Sequence, residues 1–325
     1  MPFTRARAFA LGGASDSTSD QRTSDIQSAM AARLILNADD FGLTLGVNRA
    51  IRELHQAGVL TSATLMATGA AFQDAVAIAL AHPSLGVGCH VVLTDGVPVS
   101  RPESIPTLLG SDGKRFRPSL VDFLHALLRG KISEMEIERE ALAQVQRLQR
   151  AGVRLTHLDS HKHTHLFPQV TRPLLRIAEN NSIVAIRNPF EQPWSLALGH
   201  GARLRRLQIR LLGGLRTRFY AHRQIRTGSV LTTDGTLGVS ATGDLTPSTL
   251  YQLLATLPDG LWELVCHPGY NDAALAAIPT RLRAQRQIEL QALLAELPKR
   301  LALPNPPQLI HYGNLGAVIG SANRS

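Results

Sequence analysis

Along this chain, short apolar runs alternate with longer segments of helical period. Residues 33–38 form a mostly apolar run of strand length. A helical pattern follows from Val47 to Ala57 and stops at Gly58, a residue suited to the left-handed turn that ends helices. The succession repeats as a strand over 61–67, an Ala-rich helix over 70–81 and a strand over 86–93. Residues 94–119, rich in Pro, Gly and Ser, read as a long loop. Beyond it the pattern predicts helices over 119–129 and 133–151, a strand over 153–159, a helix over 168–180 and a strand over 183–187. The last elements are a helix over 246–257, a strand over 261–266, a helix over 279–300 and a short strand over 308–311.

Such alternation of strand and helix argues for a parallel sheet of the α/β class. There is no internal repeat. The six or seven predicted strands fall short of a full eight, so the expected fold is an irregular TIM-like (β/α) barrel forming one domain over 32–316. A length of 325 residues with 44% hydrophobic content is enough for one large core. Residues 1–31, rich in Ser, Asp and Thr, are expected to be a disordered tail, with Met30 as an alternative start, and 317–325 a second, polar tail. The apolar stretch after Arg5 and Arg7 is too short for a secretory signal. Only Cys89 and Cys266 are present, which points away from a disulfide scaffold and toward reduced thiols in the cytoplasm.

The formal charge of +9 is concentrated. Arg203, Arg205, Arg206, Arg210, Arg216, Arg218, Arg223 and Arg226 fall within 201–226, a stretch without an acid. It reads as a basic helical insertion at about 195–226, broken at Gly213-Gly214. One reading is a solvated excursion that packs its Leu residues on the barrel. The other is a basic amphipathic surface for peripheral contact with an anionic membrane. Nucleic-acid binding is the disfavoured third.

Candidate chemistry gathers at strand ends, where β/α proteins place their catalytic groups. Asp39-Asp40 follows the first strand; adjacent carboxylates there need a cationic partner, although Asp-Asp-Phe-Gly could also be a simple turn. His90 ends the third strand. Residues 157–165 hold four histidines and Asp159, hard to explain as packing, whereas imidazole is a common metal ligand. His267 ends another apolar strand and is followed by Pro268-Gly269. Because strand side chains alternate faces, Cys89 and Cys266 should face away from any site that holds His90 and His267. Arg187, at the end of 183–187, is placed to hold Asp39 or a substrate oxygen. His163 and His165 share the strand parity of His161, so one is expected to line the pocket and the other to stand behind it.

The run Asn37-Ala38-Asp39-Asp40-Phe41-Gly42 resembles the opening signature of the YdjC-like carbohydrate deacetylases. So do Gly88-Cys89-His90 with Leu93-Thr94, the stretch Thr156-His157-Leu158-Asp159-Ser160-His161, and Cys266-His267-Pro268. Tyr312-Gly313-Asn314-Leu315 is a looser match. The resemblance covers 33–315 and implies a barrel-like fold, one divalent metal, and hydrolysis of N-acetyl groups on sugars such as chitooligosaccharides. It assigns Asp40, His90 and His161 as metal ligands, Asp39 as general base and His267 as general acid. It also implies Mg²⁺, whereas two imidazoles and one carboxylate favour a borderline ion such as Zn²⁺. Some relatives are associated with hopanoid lipid pathways, so a glycolipid stands beside a soluble acetylated sugar as substrate. The sequence is also compatible with a homodimer. A metal phosphoesterase is the competing enzyme class, but such sites generally hold two metals and more carboxylates than Asp39, Asp40, Asp95 and Asp159 supply.

Overall fold

The computed structural model describes residues 32–198 and 212–322. The predicted tail over 1–31 and Arg203, Arg205, Arg206 and Arg210 of the basic segment lie outside these residues.

Eight parallel strands are present among the described residues: β1 (Ala32–Phe41), β2 (Ser62–Leu65), β3 (Gly86–Val91), β4 (Leu155–Ser160), β5 (Ala185–Ile186), β6 (Gly235–Leu237), β7 (Gly260–Cys266) and β8 (Gln308–Leu309). They are ordered β5-β4-β3-β2-β1-β7-β6, and β8 pairs with the start of β1. Isolated parallel bridges, Ala185 to Leu231 and Glu191 to Thr236, link the β5 end of the sheet to the β6 end. The result is the irregular α/β barrel that the alternating pattern predicts. Strand β6 escapes the pattern because three residues between Asp234 and Gly238 carry no readable period. The predicted polar tail also differs: Leu315–Ala322 is a helix.

The helices α1 (Leu45–Gln56), α2 (Phe72–Ala81), α3 (Leu120–Leu128), α4 (Glu134–Arg150), α5 (Pro168–Asn180), α6 (Pro247–Ala255) and α7 (Ala284–Leu301) are the longer ones, with shorter turns between them. Helix α1 shows why the predicted boundaries hold. The Thr44 hydroxyl accepts the Val47 N–H at its start, Gly58 adopts φ +72° just past its end, and Val47, Ala50, Ile51 and Leu54 form one buried stripe. Helix α4 instead holds the long loop after β3. Its Gln144 side chain bonds both the N–H and the C=O of Val92, and Glu140 accepts the N–H groups of Val99 and Ser100. The basic segment, where described, is a 3-10 turn over Gly213–Leu215 followed by short helices Arg216–Tyr220 and Arg223–Arg226.

Strand alternation divides the interior. Leu34, Leu36 and Ala38 of β1 join the large core between sheet and helices, together with Cys89 and Cys266, both free and buried. The opposite face of β1 carries Ile35, which packs with Ala185, Leu261, Ile310, Tyr312 and Leu315 in a small separate core. Further along the same faces the residues become polar: Asn37, His157, Asp159, Arg187 and Glu263 are all fully buried. His157 stacks on Tyr312 with ring centroids 3.9 Å apart, and its Nε2 lies 3.2 Å from Asn37 Oδ1. Gly88 on β3 leaves room for that ring, since a Cβ there would sit 2.5 Å from His157 Cε1. Gly88→Ala should therefore lower stability by about 1–3 kcal/mol, the usual consequence of overpacking. Urea unfolding checks this, and an unchanged midpoint would show that the ring moves aside freely.

Candidate active site

Asp39 and Asp40 lie within β1, not beyond it, and both are buried. Successive strand residues ordinarily face opposite ways. Here the register with β2 shifts between Ala38 and Phe41, and Asp40 has φ +65°. This bulge turns both carboxylates toward one cavity, and Asp tolerates the left-handed conformation better than most residues.

Each carboxylate is held by its own guanidinium. Arg187 grips Asp39 through two bonds, Nη2 to Oδ1 at 2.6 Å and Nη1 to Oδ2 at 2.9 Å. Asn37 and Thr64 also donate to Asp39 Oδ1. Although burial disfavours its charge, Arg187 holds the Asp39 carboxyl far below the usual carboxylate range. Arg286 donates to Asp40 Oδ2 at 2.5 Å and, against burial, keeps Asp40 ionised in the same way. Protein groups thus provide the cationic partners that the acid pair requires.

The inner oxygen of Asp40 is different. Oδ1 is buried and receives no hydrogen bond. It lies 3.5 Å from His90 Nε2 and 3.3 Å from His161 Nδ1, and those nitrogens are 3.3 Å apart. Three donor atoms spaced like this fit the edges of a coordination shell with bonds of about 2.1 Å. An orphaned carboxylate oxygen facing two imidazole nitrogens is a set that a divalent cation satisfies, so these residues fit a metal. The other nitrogen of His90, Nδ1, lies 2.8 Å from Asp159 Oδ1, the carboxylate–histidine arrangement that orients metal-binding imidazoles. Burial opposes the charge of His90, but Asp159 and Asp39 outweigh it and raise its pKa to about 9.

His267 brings Nε2 to 3.8 Å from Asp39 Oδ2. Burial lowers its pKa to about 4, so its imidazole is neutral at pH 7, not the imidazolium that the general-acid role anticipates at rest. The backbone N–H of His267 donates to Glu289 Oε2 at 2.5 Å. Glu289 is itself pushed up to about 7, mainly by burial.

The other sequence candidates separate. Arg187 is fully buried beneath Asp39; besides Asp39 it contacts Glu263 and Asp159, so it does not reach the cavity as a substrate contact. His163 lines the cavity and His165 does not; the latter is buried, with Nδ1 2.7 Å from Ser160 Oγ. Strand parity is not the reason. Residues 161–166 form a 3-10 turn in which Lys162 and His163 adopt φ 56° and 52°. Burial and then Arg187 push His163 down to about 3. Sequence alone gives no role to Asp159, Glu263, Arg286 or Glu289. Glu263 carried a readable signal, as a lone acid inside an apolar strand. Arg286 and Glu289 look like ordinary polar helix positions.

The residues surround a cavity of about 720 Å³. Asp39, Asp40, His90, His161, His163 and His267 line one part. Leu120, Leu124, Phe167, Phe190, Val239 and Leu282 line much of the rest, and Leu212-Gly213 bring the middle of the basic segment to its wall.

Known proteins share this framework. A family model described as YdjC-like protein matches residues 33–301. A carbohydrate deacetylase of Brevibacillus brevis is 36% identical over 285 residues, covering 87% of this chain and 100% of the relative. One from Geobacillus stearothermophilus is 34% identical over 263 residues, covering 81% of this chain and 89% of its own. A crystal structure from Enterococcus faecalis V583, provisionally named a cellobiose-phosphate cleavage protein, superimposes with a TM-score of 0.69 at 25% identity, over 88% of this chain and 99% of that one. With the four motifs of the acid pair and the histidines inside the matched span, the chain belongs to the YdjC-like protein family.

Proposed function

We propose that this protein is a hydrolase that removes N-acetyl groups from acetylated carbohydrates with the help of one divalent metal. The observation that carries the reading is the unpartnered Asp40 Oδ1 facing His90 Nε2 and His161 Nδ1 beside the clamped carboxylate of Asp39. Relatives that match most of their length to this chain are carbohydrate deacetylases.

Asp40, His90 and His161 would hold the metal. When bound, it supplies a lowered pKa for water and polarisation of the acetyl carbonyl. Two imidazole nitrogens favour a borderline ion such as Zn²⁺ over Mg²⁺, which prefers oxygen ligands. Asp39, fixed by Arg187, Asn37 and Thr64, accepts the proton of the attacking water. His267 starts neutral with Nε2 3.8 Å from Asp39 Oδ2, beyond direct hydrogen-bond reach, so one bridging water or a short approach on substrate binding would let it take that proton on and deliver it to the departing nitrogen. Nitrogen leaves as an amine, since an amide anion is a poor leaving group. Water adds to the carbonyl carbon, the C–N bond breaks, and acetate and the free amino sugar result.

A lipid-linked acetylated sugar is the second reading. Leu120, Leu124, Phe167, Phe190, Val239 and Leu282 give the cavity an apolar wall larger than a sugar ring alone requires. No helix among the described residues is long and apolar enough to cross a membrane. Peripheral contact through 201–226 would bring such a substrate to the wall formed by Leu212-Gly213.

Acetate release from a panel of N-acetyl sugars and N-acetyl glycolipids tests both readings. Turnover of any member supports the deacetylase, and a preference for glycolipids selects the second reading. Silence across the panel with metal bound would refute the assignment. Asp39→Asn should retain metal yet lose at least about 100-fold in kcat, the scale of general-base removal. Asp40→Asn should lose metal affinity as well, measured by metal analysis of protein purified without added metal. Arg187→Met should destabilise the fold by about 3–5 kcal/mol, because it leaves Asp39, Asp159 and Glu263 buried without their shared cation. Equal unfolding midpoints for this variant and the parent would contradict that dependence.

A further inference from the structure

We propose that Arg286 is a positioning residue for Asp40, and that the turn His267-Pro268-Gly269 is built to hold it in place. The inference rests on the reading of Asp40 as a metal ligand.

Arg286 lies in the first turn of α7 and is 2% exposed. Its Nη2 meets Asp40 Oδ2 at 2.5 Å, while its Nε donates to the Leu282 carbonyl at 3.2 Å. The backbone carbonyl of Arg286 accepts the Gly269 N–H at 3.2 Å. A Cβ at Gly269 would lie 3.1 Å from Arg286 Cδ and 3.1 Å from Val47 Cγ2. Gly269 has no left-handed φ, so what the glycine offers is space and not conformation: a methyl group there would press on Arg286 and Val47 and displace them by a few tenths of an ångström. One turn further along α7, Glu289 accepts the N–H groups of His267 and Gly243. Positions three apart share a helix face. That face therefore grips the turn at two points, and from it Arg286 reaches across to Asp40.

Asp40 needs such support. At φ +65° inside a bulge, its side chain is not directed by the alternation of the strand. By engaging Oδ2, Arg286 leaves Oδ1 toward His90 and His161. Charge and geometry make opposite predictions here. A guanidinium beside a cation site repels the cation, so at a pH where Asp40 stays ionised without it, charge alone would make removal of Arg286 tighten metal binding. If Arg286 positions the ligand, removing it weakens binding.

Zn²⁺ titration of the metal-stripped full-length protein by calorimetry reads the sign. Arg286→Met should bind Zn²⁺ about 10–100-fold more weakly, the range for loss of a group that orients a ligand. Arg286→Lys should lose less. Gly269→Ala keeps the guanidinium charge and only displaces it, and should shift the affinity in the same direction. Thermal unfolding identifies which variants are folded; where Arg286→Met is not, Arg286→Lys and Gly269→Ala decide the matter. Folded variants that bind Zn²⁺ as tightly as the parent or more tightly, while Asp40→Asn has lost it, would overturn the positioning role alone. Undiminished Zn²⁺ binding in Asp40→Asn would overturn the ligand assignment and the proposal with it.

Discussion

A single buried guanidinium organises the interior of this barrel. Arg187 projects from the end of β5 and contacts Asp39 on β1, Asp159 on β4 and Glu263 on β7. All four side chains are almost completely removed from water. Isolated charges could not remain ionised there, so each acid depends on the arginine and the arginine on the acids. The pairing also ties together strands on opposite parts of the sheet. Asp159 spends its second oxygen on His90, and Tyr312 donates to Glu263 at 2.5 Å. The hub thereby fixes the base candidate directly, one ligand candidate through Asp159, and the small apolar core through Tyr312.

Around this hub the cavity draws its groups from elements distant in sequence. The bulge at Asp40 permits neighbouring carboxylates to serve different partners, Arg187 for one and Arg286 for the other. The left-handed residues Lys162 and His163 redirect the chain immediately after His161. Asp95, also left-handed, ion-pairs with Lys162 and so joins the loop after β3 to the turn after β4. Non-glycine residues in this conformation are strained and persist where their surroundings hold them. Four of them at one cavity, Asp40, Asp95, Lys162 and His163, and none of them on a regular helix or strand interior except Asp40 at the β1 bulge, mark where the fold gives up local comfort to place side chains.

Much of the architecture was legible in the sequence because it rests on local periodicity. Helix α1, with Thr44, its apolar stripe and Gly58, needs no tertiary information. The strand-end histidines and the acid pair were legible for a related reason: polar ionisable groups at the ends of apolar strands are conspicuous. What escaped depends on contacts between distant residues. The three-residue β6 exists through its pairing with β7. Arg187 carried no sign of whether it was exposed or wholly buried. The place of His165 could not follow from parity, since the strand ends at Ser160 and a tight turn begins. Arg286 and Glu289 acquire meaning only when α7 packs against the turn after β7.

The account turns on Asp40, His90 and His161 forming one cation site. Anomalous diffraction from crystals of catalytically active protein, recorded at the absorption edge of its metal, tests this most directly. The account predicts one strong peak within bonding distance of Asp40 Oδ1, His90 Nε2 and His161 Nδ1. A peak elsewhere in the cavity, or active crystals with no metal at these atoms, would contradict it.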